Sequence, residues 1–392
     1  MQSDTRKPYR LGLGAGPTEG TNTGSDIIDA TASNSWRLDS LSTRCGHATL
    51  STALRAQKAS SPNDIRLNDY EQYLRLFESL KTAKTTGTRS DTMLNSHVKY
   101  DRHKDELDAC INDPERQRLA LTWLNQKNTL DTWRHNRMYS LIEPIIRFDS
   151  AATWLTVGDG RFGTDAHALI EMGAENVHCS DMSDALLKIG NEKGFIKAYS
   201  SQNAEFLNFP DNGFDFVYCK EAYHHFPRPL IALHEMFRVA KTAVILTEPR
   251  DLMIDSGAFH FVLDIIKTLL GRGAQQNFFE PVGNYIYTIS EREMEKFLLG
   301  MHYRHIAYNS INDAYEKGVE FVNLASVDRN DKGMIRRIRR KILVQDVMNA
   351  LGIRKKGLIL VALFKLEANQ QLKEGLMSKG WKFKELPANP YL

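Results

Sequence analysis

Cysteine is scarce in this sequence. Its 392 residues include four cysteines, and they show neither the paired spacing of a zinc site nor that of a disulfide framework. Cys179 and Cys219 fall inside apolar runs typical of strands, where we expect small buried thiols. The other two, Cys45 and Cys110, are isolated. This usage favours a reducing, cytoplasmic setting and predicts no metal site.

Long apolar runs and an excess of one charge are also missing. The longest apolar stretches, such as Gly357–Phe364, have the length of a strand and fall far short of a membrane span. Lys and Arg number 51 against 48 Asp and Glu, so the net charge of +3 creates no global field for nucleic acid or membranes. The N-terminus has no apolar signal core, and acidic residues such as Asp4 and Glu19 argue against a transit peptide. We therefore expect a cytoplasmic protein without a clear nucleic-acid or membrane partner.

Four regions follow from the changes of pattern along the chain. Residues 1–64 are rich in Ser, Thr, Gly and Ala without a sustained period, which predicts a disordered or loosely packed tail. Residues 65–150 place apolar side chains at three- and four-residue intervals, as helices with one apolar face do. A core domain is predicted over residues 151–368, and residues 369–392 would form a C-terminal strap against it.

Inside the core domain, short apolar segments alternate with helical ones. Strands are predicted at Trp154–Val157, Asn176–Cys179, Ile196–Tyr199, Phe214–Cys219, Ala243–Thr247, Arg304–Tyr308 and Gly357–Phe364. Such alternation is typical of a doubly wound α/β sheet. An insertion, residues 251–289, then interrupts the alternation of strands and helices, and its aromatic residues would suit a helical lid. Ser290 starts the next helix, with Glu293 in the position of a capping box.

The most specific local pattern joins a glycine loop to an acidic strand end. The strand in TWLTVGDGRFG (Thr153–Gly163) runs into Gly158 and Gly160, and a second apolar segment ends at Asp181. In a βαβ nucleotide site the glycines let the ligand approach the backbone, and the acid accepts hydrogen bonds from ribose hydroxyls. The spacing G-x-G-x-x-G is equally a dinucleotide fingerprint, so the loop alone leaves the nucleotide open.

A longer stretch narrows the choice. NAEFLNFPDNGFDFVYCKEAYHHF (Asn203–Phe226) is followed after three residues by LIALHEMFRVAKTAVILTEP. Together with the glycine loop, this region resembles class I S-adenosylmethionine-dependent methyltransferases of the type 11 kind, from about Trp154 to Pro249 and more loosely to Lys365. The resemblance implies a Rossmann-like methyltransferase sheet, here with a helical N-terminal extension and an inserted helical lid. It also implies S-adenosyl-L-methionine as the cofactor.

The resemblance assigns cofactor contacts to particular residues. Gly158 and Gly160 would lie against the methionine part of the cofactor, since they lack a Cβ. Asp159 would supply the charge for the methionine ammonium, because Thr156 stands where such enzymes usually carry an acid. The remaining implied contacts are Asp181 to the ribose, Met182, Asn203 and Ala204 to the adenine, and the carbonyls of Cys219 and Lys220 to the cofactor amino group.

The acceptor side is marked by two histidines. A hydroxyl acceptor must lose a proton during methyl transfer, and histidine is the usual base near neutral pH. His224 and His225 follow the fourth predicted strand, so each is a candidate base, with packing under the next helix as the alternative. Glu221 and Tyr223 are secondary candidates for the base, and Glu248 and Arg250, after the fifth predicted strand, are expected to point toward the acceptor cleft. The expected reaction is O-methylation of a small molecule, such as a sugar or secondary metabolite, because the N-P-P-Y type motif for nucleic-acid amines is missing.

Two other classes of function stay open. An NAD(P)-dependent oxidoreductase would explain the glycine loop and Asp181, but it would leave Asn203–Phe226 unexplained. A non-catalytic protein could keep the fold and use the basic helix 334–343, MIRRIRRKIL, for a partner. That helix could attract an anionic acceptor or a membrane surface, or could simply be a solvated face. The sequence leaves the acceptor and the oligomeric state open.

Overall fold

The structure is a computed structural model that describes part of the chain. The described residues are 113–125, 127–255 and 285–391, together with positions 102, 104, 105, 262, 265, 266, 269 and 279. All of them belong to one compact unit, Thr88–Leu392. The predictions made for residues 1–64, for most of residues 65–112, and for most of the lid within 251–289 lie outside the described residues.

The described residues form helices and strands that alternate through the core. The helices are α1 (Pro114–Asn125), α2 (Leu130–Tyr139), α3 (Glu143–Phe148), α4 (Thr164–Glu171), α5 (Ala185–Glu192), α6 (Pro229–Val239), α7 (Leu252–Asp255), α8 (Glu291–Gly300), α9 (Arg329–Ala350) and α10 (Gln370–Ser378). The strands are β1 (Thr153–Val157), β2 (Asn176–Asp181), β3 (Ala198–Ser201), β4 (Phe214–Lys220), β5 (Ala240–Pro249), β6 (His305–Ile311), β7 (Leu358–Phe364) and β8 (Lys382–Glu385). Among the described helices, none combines the length and apolarity that a membrane span requires.

Eight strands form one mixed sheet in the order β3-β2-β1-β4-β5-β7-β6-β8. The strands from β1 to β5 are parallel to their neighbours, whereas β7 runs antiparallel between β5 and β6. The strand order reverses between β1 and β4, and ligands of open α/β sheets bind at such a switch point. The sheet confirms the predicted α/β class. Its reversed β7 departs from the six-strand order of the dinucleotide-binding fold.

Both faces of the sheet are covered, because strand residues alternate between them. On one face, Leu155 of β1 and Val217 of β4 pack with side chains of α6 and α8. On the other, Trp154 and Phe216 pack with side chains of α3, α4 and α10, and their rings stack with centroids 4.8 Å apart. Strands buried on both sides explain why the sequence shows continuous apolar runs here.

The N-terminal helix α2 is fixed against α9. Leu130 is fully buried in a cluster with Ile338 and Ile342 of α9, and its backbone N–H donates to the carbonyl of Val322 at 2.7 Å. At the other end of α2, the Tyr139 hydroxyl donates to a carboxylate oxygen at the start of α4, 2.5 Å away. These two attachments place α2 beside the loops that follow the parallel strands.

Most predicted strands coincide with observed ones, and the differences have local causes. The third strand starts at Ala198 rather than at Ile196, whose side chain is buried in the loop before the strand. The predicted C-terminal strap contains helix α10 and strand β8 instead. β8 pairs antiparallel with β6 at the sheet edge, where its polar sequence KFKE suits solvent exposure.

Candidate active site

A cleft of about 1180 Å³ lies at the carboxyl ends of the parallel strands. The loops after β1, β2 and β4 line it, together with residues of α1 and α2. It therefore occupies the switch point of the sheet, between β1 and β4. It brings together most of the residues predicted for the site, namely Gly158, Asp159, Gly160, Asp181, Met182, Ala204, Lys220, His224 and His225.

The backbone of the glycine loop lies so close to neighbouring groups that side chains would not fit at two of its positions. Gly158 has a backbone φ of +79°, and a Cβ there would lie 2.4 Å from the Cβ of Ala222. A Cβ on Gly160 would lie 2.9 Å from the carboxyl group of Asp181. The N–H groups of Gly158 and Asp159 donate to the Ser180 carbonyl at 3.0 and 3.1 Å, which ties the loop to β2. The loop thus presents bare backbone beside the Asp181 carboxyl.

Asp159 holds this loop to the start of α4. Its carboxylate accepts hydrogen bonds from the backbone N–H groups of Asp165 and Ala166, at 3.0 and 2.8 Å, and from the Thr156 hydroxyl at 3.0 Å. Burial, followed by repulsion from Asp165, raises the pKa of Asp159 to about 8. The oxygens of this carboxylate already accept from three donors within the loop. Its contact with the methionine ammonium stays a prediction.

Asp181 ends β2 with its carboxyl group in the cleft. It is buried and accepts a hydrogen bond from the Ser183 N–H at 3.1 Å. Burial raises the pKa of Asp181 to about 6, although hydrogen bonds from backbone N–H groups lower it. Met182 follows on the cleft wall, where the Ser201 hydroxyl holds its carbonyl at 2.7 Å. Both residues line the cleft, and their contacts with the ribose and the adenine stay predictions.

The segment after β3 supplies the next wall of the cleft. Gln202 and Ala204 line the cleft. Asn203, between them, uses its amide oxygen to accept from the Glu205 N–H at 2.9 Å, which shapes the turn. Gln202, which the sequence pattern does not mark, lines the cleft in place of the predicted Asn203. The predicted adenine contact of the Asn203 side chain therefore competes with its role in the turn.

The end of β4 carries a buried cation. The Lys220 ammonium lies 3.2 Å from a carboxylate oxygen of Asp165 and 3.2 Å from one of Glu221. Burial by itself would lower the pKa of Lys220, but the two carboxylates outweigh it and raise that pKa. Cys219, one position earlier, is fully buried in the sheet. The side chain of Lys220 is thus a structural counter-ion at the cleft.

Glu221 occupies a strained backbone conformation at the same edge. Its φ of +49° lies in the left-handed region, which costs a side-chain-bearing residue about 1–2 kcal/mol. Burial would raise the pKa of Glu221, but the charges of Lys220 and His135 lower it to about 2. Such strain persists where surrounding contacts determine the conformation, and it clusters at functional sites.

Helix α2 contributes a charged wall that the sequence analysis missed. His135 lies 3.5 Å from Glu221 through Nδ1 and 3.5 Å from Asp131 through Nε2. Arg134 pairs with Asp131 at 2.8 Å and also with Asp313. Asp131 and Arg134 are buried on the same side of α2 as Leu130 and Met138. Charged residues within the apolar face of the helix were the available signal for this part of the cleft.

His224 is oriented by a fully buried carboxylate. The Nδ1 atom of His224 lies 2.6 Å from Oε2 of Glu248, while Oε1 of Glu248 accepts from the N–H groups of Ala222 and Tyr223 at 3.0 and 2.9 Å. A hydrogen bond at Nδ1 fixes the tautomer, so that Nε2 is the nitrogen that can accept a proton. The ring of His225 lies beside that of His224, with centroids 3.9 Å apart. The contact with Glu248 therefore distinguishes the surroundings of His224 from those of its neighbour.

Two other residues predicted on the acceptor side, Tyr223 and Arg250, stabilise the fold. Tyr223 is fully buried in the core between the sheet and α6. The guanidinium of Arg250 is buried and pairs with Asp255 at 2.5 Å and with Glu291 at 2.7 Å. These ion pairs join α7 to the start of α8.

Comparison with known proteins agrees with this geometry. Residues 155–246 match the family model described as a methyltransferase domain. That span contains the glycine loop, Asp181, the segment after β3 and both histidines. No curated protein matches the chain.

Several solved structures are similar at low identity. The YcgJ protein of Bacillus subtilis is 19% identical, with a TM-score of 0.38, over 60% of this chain and 100% of that protein. Magnesium protoporphyrin IX methyltransferase of Synechocystis, with bound S-adenosylhomocysteine, is 15% identical, with a TM-score of 0.36, over 59% of this chain and 84% of that one. A possible histamine N-methyltransferase of Thermotoga maritima is 13% identical, with a TM-score of 0.37, over 69% of this chain and 99% of that one. The domain match covers the strands and loops that line the cleft, so residues 155–246 form a methyltransferase domain.

Proposed function

We propose that this methyltransferase acts on a hydroxyl group of a small molecule, such as a sugar or a secondary metabolite, with His224 as the general base. The observation that carries the proposal is the His224–Glu248 pair, whose Nδ1–Oε2 distance is 2.6 Å, on the wall of the cleft. A buried carboxylate behind a histidine holds the ring and stabilises the imidazolium that forms on proton uptake.

The residues of the cleft fit the cofactor. Glycine is required at positions 158 and 160 because a Cβ would collide with Ala222 or Asp181, and the bare backbone of this loop would border the methionine part. The carboxylate of Asp181 would accept hydrogen bonds from the ribose hydroxyls. Met182 and Ala204 would contact the adenine. When bound, the cofactor supplies an activated methyl group on a sulfonium.

The side chains of the cleft then have defined tasks. The acceptor hydroxyl would be held in line with the methyl group, and such alignment can lower the barrier by about 7–11 kcal/mol. Nε2 of His224 would take the hydroxyl proton as the oxygen attacks, and Glu248 would balance the charge on the ring. Charged residues of α2, among them His135, would border the acceptor and contribute to its selection.

The experiment compares two neighbouring histidines. The His224→Gln variant should lose turnover by about 10²–10⁴-fold with hydroxyl acceptors and labelled donor, since a general base contributes that much. Its affinity for S-adenosylhomocysteine, measured by calorimetry, should stay at the wild-type value. His225→Gln is the matched control, because it changes the adjacent ring without removing the partner of Glu248. Full turnover in His224→Gln, or equal losses in both variants, would contradict the assignment of the base.

We also propose a cytoplasmic location. Cys179 and Cys219 are free, buried thiols, and proteins of oxidising compartments more often pair their cysteines. Localisation of the full chain by fractionation of its host cells tests this point.

A further inference from the structure

Helix α9 carries an outward stripe that the methyltransferase site does not use. At about 100° per residue, Arg336, Arg340, Leu343, Val344 and Val347 fall within an arc of about 100°. Leu351, at the C-cap, continues the same line. The apolar members are exposed: Leu343 by 62%, Val344 by 50%, Val347 by 50% and Leu351 by 69%. The stripe is thus basic in its first half and apolar in its second.

The opposite face of α9 accounts for the packing of this helix. Ile335, Ile338 and Ile342 are buried in a cluster with Leu130 of α2. The helix therefore needs no further apolar residue for its own attachment. The exposed stripe is an additional apolar surface, and such surfaces mark interaction sites when they are contiguous.

Charge distinguishes this region from the rest of the protein. Between Lys332 and Lys356 the sequence has nine Lys or Arg residues and one acidic residue, Asp346, a local charge of +8. Because the whole chain carries +3, its remaining residues sum to −5. A strongly basic segment in an otherwise acidic chain favours binding to anionic partners.

Part of this positive charge forms no ion pair among the residues that the structure describes. Arg337 and Lys341 pair with Glu316, at 3.1 and 2.7 Å. Arg336 and Arg340 are exposed and form no ion pair with any residue that the structure describes. These two arginines belong to the stripe, whereas Arg337 and Lys341 flank it. The charges that lie next to the exposed apolar residues are therefore available to an outside ligand.

Further exposed apolar residues lie in the part of the chain that follows β5, near the end of α9. The Arg250 N–H donates to the carbonyl of Gly357 at 2.9 Å, which brings the start of α7 next to the segment that follows α9. Met253 and Ile254 of α7 are exposed. Helical positions further along, also exposed, repeat at i, i+3, i+4 and i+7: Val262, Ile265, Ile266 and Leu269.

We propose that α9 docks the enzyme on an anionic lipid bilayer. Arg336 and Arg340 would meet lipid phosphates, and Leu343, Val344 and Val347 would enter the boundary between headgroups and acyl chains. A basic cluster joined to an apolar stripe on one amphipathic helix has the charge and polarity of that boundary. A protein partner with an acidic, apolar groove would share the chemistry, but the seven Lys and Arg residues of α9 lie on several sides of the helix between Arg329 and Lys341 and favour a broad anionic surface.

Vesicle co-sedimentation of the full-length protein tests this docking. The protein should sediment with vesicles that contain phosphatidylglycerol and stay in solution with pure phosphatidylcholine, and high salt should weaken the binding. The double variant Arg336→Gln, Arg340→Gln should bind roughly 25-fold more weakly, since each basic side chain contributes about fivefold. The double variant Leu343→Ser, Val347→Ser should lose binding by about tenfold or more.

Matched controls change the same chemistry elsewhere on the surface. Lys193→Gln with Lys197→Gln removes two exposed charges near β3, and Leu366→Ser with Met377→Ser removes two exposed apolar side chains. Both controls should sediment like the wild type, and all variants should bind S-adenosylhomocysteine normally. Absence of sedimentation with anionic vesicles, or equal losses in the controls, would overturn the proposal. A dimer in light scattering that only the Leu343, Val347 variant dissociates, without vesicle binding, would assign the stripe to self-association instead.

Discussion

Replacing Gly160 by alanine tests the cofactor cradle at its tightest point. An added Cβ would lie 2.9 Å from the Cγ and Oδ2 atoms and 3.0 Å from the Oδ1 atom of Asp181. Gly160 has no positive φ, so its backbone conformation suits alanine. The close contact should therefore displace the Asp181 carboxyl group rather than the backbone. We expect the Asp181 side chain to turn away from the position in which it would bind the ribose.

The size of the effect follows from the hydrogen bonds at risk. A hydrogen bond to a charged group contributes about 1.5–3 kcal/mol. Loss of one such bond between Asp181 and a ribose hydroxyl would weaken binding by about 10- to 100-fold. Overpacking in a buried site also lowers the free energy of unfolding by about 1–3 kcal/mol, which leaves the protein folded at room temperature.

Calorimetric titration with S-adenosylhomocysteine measures the loss. Gly300→Ala is the control, because a Cβ at this last residue of α8 would have no neighbour within 4 Å. It should leave the affinity unchanged and slightly raise the thermal midpoint, since alanine favours helix over glycine by up to about 1 kcal/mol. Wild-type affinity in a folded Gly160→Ala protein would refute the role given to Asp181.

Two further predictions concern pH and helix capping. Because the pKa of Asp181 is raised to about 6, its carboxylate is charged above that pH and protonates below it. The affinity for S-adenosylhomocysteine should therefore be full above about pH 6 and fall as the pH is lowered through that value. The Asp181→Asn variant should bind weakly, with a flatter pH profile. A pH-independent wild-type affinity would contradict this. Ser290→Ala should lower the free energy of unfolding by about 1 kcal/mol in urea titrations, since the Ser290 hydroxyl accepts from the Glu293 N–H at the start of α8. Ser290→Thr, which keeps the hydroxyl, should recover most of this loss of stability.

Local patterns predicted the centre of the fold and the cofactor side of the cleft. The strands around Gly158 and Asp181 are continuous apolar runs that end in glycine or an acid, and both features are readable within a few residues. The resemblance of the segment Asn203–Phe226 to methyltransferases selected the family. β8 could not be found in this way, because an edge strand with the sequence KFKE is defined by its pairing with β6 rather than by apolar content.

The acceptor side depends on contacts between distant parts of the chain. His135 and Glu221 are 86 positions apart in the sequence and meet because α2 is held both against α9 and at the start of α4. Glu248 and His224 were each named from the sequence, but their hydrogen bond follows from the parallel pairing of β4 with β5. The positive φ of Glu221 likewise has no sequence signal, since glycine is the residue expected there.

The most direct test of the account is calorimetric titration of the full-length protein with S-adenosylhomocysteine and, separately, with NADH and NADPH. The cleft geometry and the methyltransferase domain predict binding of S-adenosylhomocysteine and no heat of binding from either nicotinamide nucleotide. Binding of a nicotinamide nucleotide without S-adenosylhomocysteine would contradict the account and return the glycine loop to a dinucleotide site.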